Sequence, residues 1–263
     1  MRDILARANR ATLARFARSD VLLAFDYDGT LAPIVANPES AVLRLRTRRL
    51  LERLARLYPC VVISGRRRHD VLQRLAGTGI ARVVGNHGGE PSRREHEFRR
   101  MVGRWHLALL RRLDGLAGVT VEDKRLSLSI HYRRSRQRHR VLEEVLRATS
   151  DLRGARVFGG KLVVNVAPLR APHKGTALER ERIRLGCDTA LYVGDDETDE
   201  DVFSVREPER LLTVRVGLQA ESLARYRIRD QGQIDALLRA LILLRHEPRR
   251  RASRASRLTR ERR

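Results

Sequence analysis

The sequence predicts an α/β fold: a doubly wound, Rossmann-like parallel-sheet core with an inserted α+β cap domain. Short apolar runs alternate with amphipathic stretches in the first third of the chain and again after residue 172. This alternation is typical of parallel strands joined by helices. Between these parts the order changes to helix–strand–strand–helix–strand–strand, an αββαββ module. We therefore expect a discontinuous core of residues 1–89 and 172–247, a cap of residues 90–171 and a basic tail of residues 248–263.

The core elements follow from hydrophobic periodicity. An apolar run of about 4–8 residues predicts a strand buried on both faces, whereas apolar residues three or four apart predict a helix. In chain order these patterns predict an amphipathic helix carrying Ile4, Leu5, Ala8, Leu13 and Phe16, a strand over 21–25, a helix near 40–58, a strand over 60–63, a helix near 67–76 and a strand over 81–84. After the cap they predict a helix near 174–185, a strand over 190–193, a helix near 199–206, a strand over 211–216 and a helix near 233–245.

The cap elements follow a different pattern. They are a helix over 95–113, strands over 119–122 and 126–132, a helix near 136–149, and strands over 156–158 and 161–166 joined as a hairpin at Gly159-Gly160. Successive strand residues face opposite sides of a sheet, so the apolar residues of these strands share one face. The other face is polar and carries Ser127, Ser129, His131, Lys161 and Asn165. We expect this polar face to bind a ligand, although strands that merely face solvent would show the same alternation.

The 263-residue chain is strongly basic, with 55 Lys and Arg against 32 Asp and Glu and a formal net charge of +23. Such a charge attracts anions, including nucleic acids. Aromatic content is only 4%, and no helix-turn-helix or zinc-ligand pattern occurs. We therefore interpret the charge as solvated Arg on helix faces and expect no nucleic-acid partner. Residues 249–263, with eight Arg and one Glu, are expected to be disordered.

Other features indicate the cellular compartment. No run of about 18 apolar residues occurs, so we expect no membrane span. The N-terminus lacks the apolar centre of a signal peptide. The two cysteines, Cys60 and Cys187, lie in or near predicted core strands and are expected to be reduced and structural. These features predict a cytoplasmic protein.

The segment Asp26-Tyr27-Asp28-Gly29-Thr30 directly follows the first predicted core strand. Residues two apart on an extended chain point the same way, so Asp26 and Asp28 are expected to present two carboxylates at a strand end, where open α/β sheets bind ligands. Adjacent carboxylates repel unless a cation or a proton separates them. The pair therefore suggests a hard metal ion such as Mg²⁺ together with a nucleophile and a proton donor.

Three further segments complete the same candidate site. Ser64-Gly65 ends the second strand, where a hydroxyl and free backbone amides can hold a phosphate oxygen. Lys174 precedes a predicted helix and is one of only three lysines, so a compact ammonium is favoured there over the planar guanidinium of Arg. An acidic loop follows the strand over 190–193, and its position favours a metal site; it holds Asp195, Asp196, Glu197, Asp199, Glu200 and Asp201.

The ordered set DYDGTL, ISG, KG and GDDETDED resembles the haloacid dehalogenase superfamily of phosphohydrolases. Longer stretches, FDYDGTLAPI, GNHGGE, VEDKRLSLSIHYR and YVGDDETDEDVF, are similar to the trehalose-phosphatase family. The resemblance covers roughly residues 21–244. It implies a mobile cap, Mg²⁺ as cofactor, trehalose 6-phosphate or a similar sugar phosphate as substrate, and functional coupling to a trehalose-phosphate synthase.

The resemblance also implies roles for individual residues. Asp26 would be the nucleophile that forms an aspartyl-phosphate, and Asp28 the acid and base. Mg²⁺ would bind Asp26, the backbone carbonyl of Asp28, and Asp195. Lys174, Ser64 and Gly65 would bind phosphate oxygens, with Asp196 and Asp199 orienting Lys174 or metal-bound waters.

The implied sugar-binding residues lie in the cap and in one core loop: His87, Glu122, Lys124, His131, Lys161 and Asn165. Asn165 departs from the family pattern, because a Glu usually occupies this place. A phosphatase for another glycosyl phosphate, such as glucosylglycerol phosphate, therefore stays an alternative. A basic nucleic-acid-associated protein with this fold is the alternative from a different class.

Overall fold

The computed structural model describes residues 1–35, 38–80, 82–160 and 162–247. In chain order its elements are β1 (Arg2–Asp3), α1 (Arg10–Ala17), β2 (Val21–Phe25), α2 (Leu45–Ala55), β3 (Cys60–Ile63), α3 (Arg68–Arg74), β4 (Arg82–Val84), α4 (Glu95–Arg112), β5 (Thr120–Asp123), β6 (Leu128–His131), α5 (Arg138–Ser150), β7 (Ala155–Gly160), β8 (Val163–Pro168), α6 (Lys174–Arg184), β9 (Thr189–Gly194), α7 (Glu200–Phe203), β10 (Leu211–Val216), β11 (Tyr226–Ile228) and α8 (Ile234–His246).

Helices cover both faces of the core sheet. In β2, Val21, Leu23 and Phe25 pack in one cluster, which includes side chains from α1, α2, α3 and α8. Leu22 and Ala24 pack in a second cluster with side chains from α6 and α7. Burial on both faces explains why this strand is apolar at every position.

The core sheet is wholly parallel, with the order β1-β11-β10-β9-β2-β3-β4. From β2 the chain builds outward through β3 and β4, and after the cap it returns to β9 on the other side of β2. The direction of winding therefore reverses between β2 and β9. In open α/β sheets, ligands bind in the crevice at such a switch point, beyond the carboxyl ends of the strands.

The cap is built on a separate four-stranded antiparallel sheet with the order β5-β6-β8-β7. Its apolar face packs against α4 and α5 around a third cluster, which includes Trp105, Leu128, Ile130, Val145 and Val164. The other face points toward the core. These two sheets confirm the predicted α/β class with its inserted α+β cap.

The structure corrects three local predictions. Gly159 and Gly160 do not form the hairpin turn; they belong to β7 and pair with Val164 and Val163 of β8. The N-terminal stretch is not one helix, because β1 precedes α1. Strand β11, unforeseen from the sequence, lies between β1 and β10.

Several predictions concern features outside the two sheets. Cys60 and Cys187 are both buried and free, in accord with the expected structural role. Among the described residues, no helix combines the length and the apolar character needed to span a bilayer. The basic tail, from residue 248 onward, lies outside the described residues.

Candidate active site

Four predicted site residues lie at the switch point of the core sheet. Asp26, Ser64 and Asp195 directly follow β2, β3 and β9, and Lys174 is the first residue of α6. Each of these residues is at most 4% exposed. Parallel strands that end at one edge bring residues distant in sequence together, because the polar residue after each apolar run emerges there.

Lys174 is the electrostatic centre of the site. Its Nζ donates hydrogen bonds to Asp26 Oδ1 at 3.0 Å and to Asp199 Oδ1 at 2.7 Å. Burial would lower the pKa of the Lys174 ammonium, but Asp199 and Asp26 outweigh it and hold that pKa well above its usual value. Lys174 is therefore a permanent positive charge beside Asp26.

Asp26, Asp195 and Asp199 form a buried carboxylate cluster in which one oxygen from each lies within 4.8 Å of the others. Burial raises the pKa of Asp26 well above its usual value; Lys174 opposes this, and Asp199 and Asp195 add to it. Gly29, at φ 77°, leaves room for this cluster, since a side chain there would collide with the Asp195 carboxylate. Excess negative charge on oxygen ligands fits a hard cation such as Mg²⁺.

Asp199 is held in place from three sides. Besides Lys174, the Tyr192 hydroxyl donates to Asp199 Oδ1 at 2.7 Å, and the Asp196 backbone amide donates to Asp199 Oδ2 at 2.9 Å. Asp199 thus offers the Lys174 ammonium a fixed acceptor, and its orienting role stays a prediction. The acidic loop is also anchored by Arg215, which donates to the Asp195 carbonyl at 2.6 Å and forms an ion pair with Glu200 at 2.9 Å.

Asp28 does not share the environment of Asp26. Its side chain is 39% exposed and forms a two-pronged ion pair with Arg66, at 2.7 and 2.8 Å. Arg66 also binds Asp70 at 2.9 Å and donates its backbone amide to Ser64 Oγ at 3.2 Å. Sequence reasoning missed Arg66; its place directly after Ser64-Gly65, on a loop already assigned to the site, was the available signal.

Part of the polar face of the cap lies against the core rather than open to solvent. Ser127 and Ser129 are at most 1% exposed. Ser127 Oγ donates to Asn86 Oδ1 of the core at 2.8 Å, and Arg156 of β7 pairs with Asp201 at 3.3 Å. The alternative of merely solvent-facing strands is therefore wrong for Ser127 and Ser129.

The other predicted cap residues have different surroundings. Glu122 lies beside His131, at 2.9 Å, and beside Lys124, at 3.8 Å. Burial would raise the pKa of Glu122, but the His131 hydrogen bond and Lys124 lower it to about 2. Asn165 is 2% exposed and accepts a hydrogen bond from Ser129 Oγ at 2.7 Å. Lys161 lies outside the described residues.

His87 lies where the core and the cap meet. Its backbone amide donates to the Ser64 carbonyl at 2.9 Å, and its ring meets Phe158 of β7 edge-on, with ring centroids 5.1 Å apart. Gly65 lies directly against the imidazole. The loop that carries His87 therefore faces the cleft, as predicted from the sequence.

Comparisons with known proteins agree with this geometry. The family model described as trehalose-phosphatase matches residues 24–230. A probable trehalose-phosphate phosphatase 9 from Oryza sativa subsp. japonica is 30% identical over 271 residues, covering 88% of this chain and 72% of its own length. A probable trehalose-phosphate phosphatase D from Arabidopsis thaliana is 29% identical over 248 residues, covering 84% and 67%. The C-terminal domain of C. albicans trehalose-6-phosphate phosphatase has the same fold, with a TM-score of 0.69, 22% identity, and coverage of 89% of this chain and 96% of that domain.

Proposed function

The chain belongs to the trehalose-phosphatase family of the haloacid dehalogenase superfamily, and on that premise we propose that this phosphoric monoester hydrolase cleaves trehalose 6-phosphate through an aspartyl-phosphate on Asp26. The observation that carries the proposal is the buried ion pair of Lys174 with Asp26 at the switch point, 3.0 Å long. A fixed ammonium there supports the approach of a phosphate dianion to a carboxylate that would otherwise repel it.

In the first half-reaction, an Asp26 carboxylate oxygen attacks phosphorus and the bond to the sugar oxygen breaks. Asp28, in its protonated form, gives its proton to the departing oxygen. Lys174, the Ser64 hydroxyl and the amide of Gly65 bind the oxygens of the transferred phosphoryl group. The products are the free sugar and a phosphorylated Asp26.

In the second half-reaction, water attacks the same phosphorus, gives its proton to the Asp28 carboxylate and releases phosphate from Asp26. The two-pronged ion pair with Arg66 fixes the direction of the Asp28 carboxylate. Arg66 is therefore placed to keep the Asp28 side chain in position as its role changes from acid to base.

The buried carboxylates support Mg²⁺ as the cofactor. Asp26, Asp195 and the backbone carbonyl of Asp28 are the groups that would hold it. When bound, Mg²⁺ neutralises negative charge on the phosphoryl oxygens.

The cap supports substrate selection. Glu122, Lys124, His131 and Asn165 lie on or beside its polar face and would contact the sugar hydroxyl groups. Lys161 stays a predicted contact. Coupling to a trehalose-phosphate synthase and a cytoplasmic location likewise stay predictions, as do the core and cap boundaries at residues 89 and 172.

Asn165 gives the second candidate its support. Its side chain is already bonded to Ser129 Oγ and, at 3.4 Å, to the Gly159 carbonyl. The Asn165 amide is neutral and already bonded within its own sheet. It would therefore bind a sugar hydroxyl group more weakly than the charged carboxylate of a Glu. Another glycosyl phosphate, such as glucosylglycerol phosphate, is therefore the alternative substrate.

The proposal is tested by phosphate release from a panel of trehalose 6-phosphate, glucosylglycerol phosphate, sucrose 6-phosphate, glucose 6-phosphate and p-nitrophenyl phosphate. Each is assayed with Mg²⁺ and with a chelator, and Asp26→Asn serves as the inactive control. We expect Mg²⁺-dependent release with the highest kcat/KM for trehalose 6-phosphate. Faster turnover of glucose 6-phosphate or of the aryl ester would contradict the substrate assignment, and undiminished turnover with chelator would contradict the cofactor.

A further inference from the structure

The Tyr192 side chain brings a polar hydroxyl group into a buried part of the core. Tyr192 lies in β9, is 0% exposed, and packs in the second core cluster, where its ring meets that of Phe203 at 69° with the centroids 6.0 Å apart. A phenylalanine would make the same ring contacts. Burying a hydroxyl group costs free energy unless the group forms a hydrogen bond. The partner of this hydroxyl therefore indicates why the residue is a tyrosine.

That partner is Asp199, whose Oδ1 accepts two hydrogen bonds. The Tyr192 hydroxyl and Lys174 Nζ both donate to this oxygen, each at 2.7 Å. Asp199 is buried, and a side-chain carbon at Gly194 would lie 2.2 Å from its Cγ, so the carboxylate packs tightly against the end of β9. A neutral hydroxyl and a charged ammonium therefore share one oxygen of a tightly packed carboxylate.

Lys174 divides its hydrogen bonds between two carboxylates. Its ammonium has three N–H groups; one donates to Asp199 Oδ1 at 2.7 Å and another to Asp26 Oδ1 at 3.0 Å. The bond to Asp199 is the shorter, although Asp26 is the proposed nucleophile. A change in the negative charge on Asp199 Oδ1 therefore changes how strongly this oxygen draws the ammonium away from Asp26.

Tyr192 moderates that charge. Burial raises the pKa of the Tyr192 hydroxyl well above its usual value, and the carboxylates of Asp199 and Asp26 raise it further, so the group keeps its proton and acts as a donor. A donor stabilises the negative charge on the oxygen that accepts its hydrogen bond. Without this hydroxyl, Asp199 Oδ1 would rely on Lys174 for that stabilisation, and the ammonium would move toward Asp199.

We propose that Tyr192 is a positioning residue for phosphoryl transfer. Its hydroxyl group competes with Lys174 for Asp199 Oδ1 and thereby keeps the ammonium between Asp199 and Asp26, where it meets both the nucleophile and a phosphate oxygen. This inference rests on the proposed function, and it concerns a residue that would touch neither the substrate nor a metal ion. A hydroxyl group that only stabilised the core would affect folding and leave the ammonium where it is.

The test removes one buried hydroxyl group at a time. Tyr192→Phe keeps the ring and loses the donor, whereas p-aminophenylalanine at position 192 keeps both. Tyr58→Phe is the matched control, because Tyr58 is 3% exposed in the cluster on the opposite face of the core sheet and donates to the carbonyls of Ala17 and Leu241 at 3.0 and 2.8 Å. Kinetics with p-nitrophenyl phosphate give kcat and KM. Since Lys174 is one of only three lysines, NMR of isotopically labelled lysine reports its ammonium directly, with Lys174→Arg to identify the signal.

We expect Tyr192→Phe to lower kcat roughly tenfold, the worth of one hydrogen bond to a charged group, with little change in KM. The Lys174 signal should shift, and p-aminophenylalanine should restore both kcat and the signal. Tyr58→Phe should unfold at a lower temperature but keep wild-type kinetics and the wild-type signal.

An unchanged kcat or an unshifted Lys174 signal in Tyr192→Phe would overturn the inference. If Tyr192→Phe failed to fold, a fall in kcat in the folded p-aminophenylalanine protein would overturn it instead. If the wild-type protein hydrolysed no phosphate ester, the proposed function would fail, and the inference would then stand or fall with the Lys174 signal, which needs no substrate.

Discussion

Among the residues that the structure describes, the two lysines of the cleft, Lys174 in the core and Lys124 in the cap, have opposite environments. Lys174 has two carboxylates at 2.7 and 3.0 Å, and its pKa is raised. Lys124 has Glu122 at 3.8 Å, and burial lowers its pKa more than the nearby carboxylates of Glu122 and Asp28 raise it. The core ammonium has two carboxylate partners before any substrate binds, whereas the cap ammonium would gain further compensation from a bound ligand. We therefore propose that the core is organised for chemistry and the cap for recognition.

The largest loss of turnover should come from Asp26→Asn, which removes the proposed nucleophile of the core. An amide cannot form the phosphoenzyme, so turnover should fall below detection. Asp28→Asn should also be nearly inactive, since general acid–base catalysis is worth about 10²–10⁴-fold. With p-nitrophenyl phosphate, whose leaving group needs no proton, Asp28→Asn should accumulate phosphate on Asp26, visible by mass spectrometry. Wild-type rates in Asp26→Asn would rule out the aspartyl-phosphate.

The next largest effect should come from Lys174→Arg. The planar guanidinium cannot place one compact charge between Asp26 and Asp199 in a fully buried site, so kcat should fall on the order of 10²-fold. Lys124→Arg is the matched control, because its partner is farther away and partly exposed. If Lys174→Arg stays within threefold of wild type, the core does not require the lysine that composition singled out.

A smaller effect is expected in the cap from Asn165→Ala. Loss of one neutral hydrogen bond is worth about 0.5–1.5 kcal/mol, or roughly three- to twelvefold in KM for the true substrate. Small phosphate esters should be unaffected. Because Asn165 also accepts from Ser129, Ser129→Ala is measured beside it to separate sugar contact from cap packing. Asn165→Glu sharpens the point: faster turnover of trehalose 6-phosphate would indicate a different native substrate. If Asn165→Ala changes neither KM nor substrate selectivity, Asn165 does not contact the substrate.

The smallest effect concerns pH. The raised pKa of Asp26 means that its carboxylate, the attacking form, is lost as pH falls through a range above that of an ordinary Asp. A cation favours the carboxylate over the protonated form. Raising Mg²⁺ from limiting to saturating should therefore move the acidic limb of kcat/KM to lower pH. A limb that does not depend on Mg²⁺ would separate Asp26 from the metal site.

The elements that the sequence predicts best are those buried on both faces. Strands β2, β3 and β10 have the predicted bounds, because every residue in them is apolar or packed. Strand β11 escapes detection since it has three residues, with Arg227 in the middle. The glycines of β7 have a reason other than a turn: a side chain at Gly159 would collide with Glu197 of the acidic loop.

The sequence predicted those site residues whose amino-acid type is uncommon in this chain. Acidic residues after apolar strands stand out in a basic chain, as does Lys174 among 55 cationic residues of which three are lysines. Arg66 and Arg215 were not predicted as site residues, because arginine is abundant throughout this sequence. Their roles depend on partners far along the chain, Asp28 for Arg66 and the Asp195 carbonyl for Arg215. Only the fold brings those partners together.

The division of labour between core and cap is tested most directly by one kinetic comparison. Lys174→Arg and Lys124→Met are each assayed with trehalose 6-phosphate and with p-nitrophenyl phosphate. The account predicts that Lys174→Arg lowers kcat/KM by a similar factor for both substrates, whereas Lys124→Met lowers it for trehalose 6-phosphate alone, through KM. Equal losses on both substrates for Lys124→Met, or a loss confined to the sugar phosphate for Lys174→Arg, would contradict it.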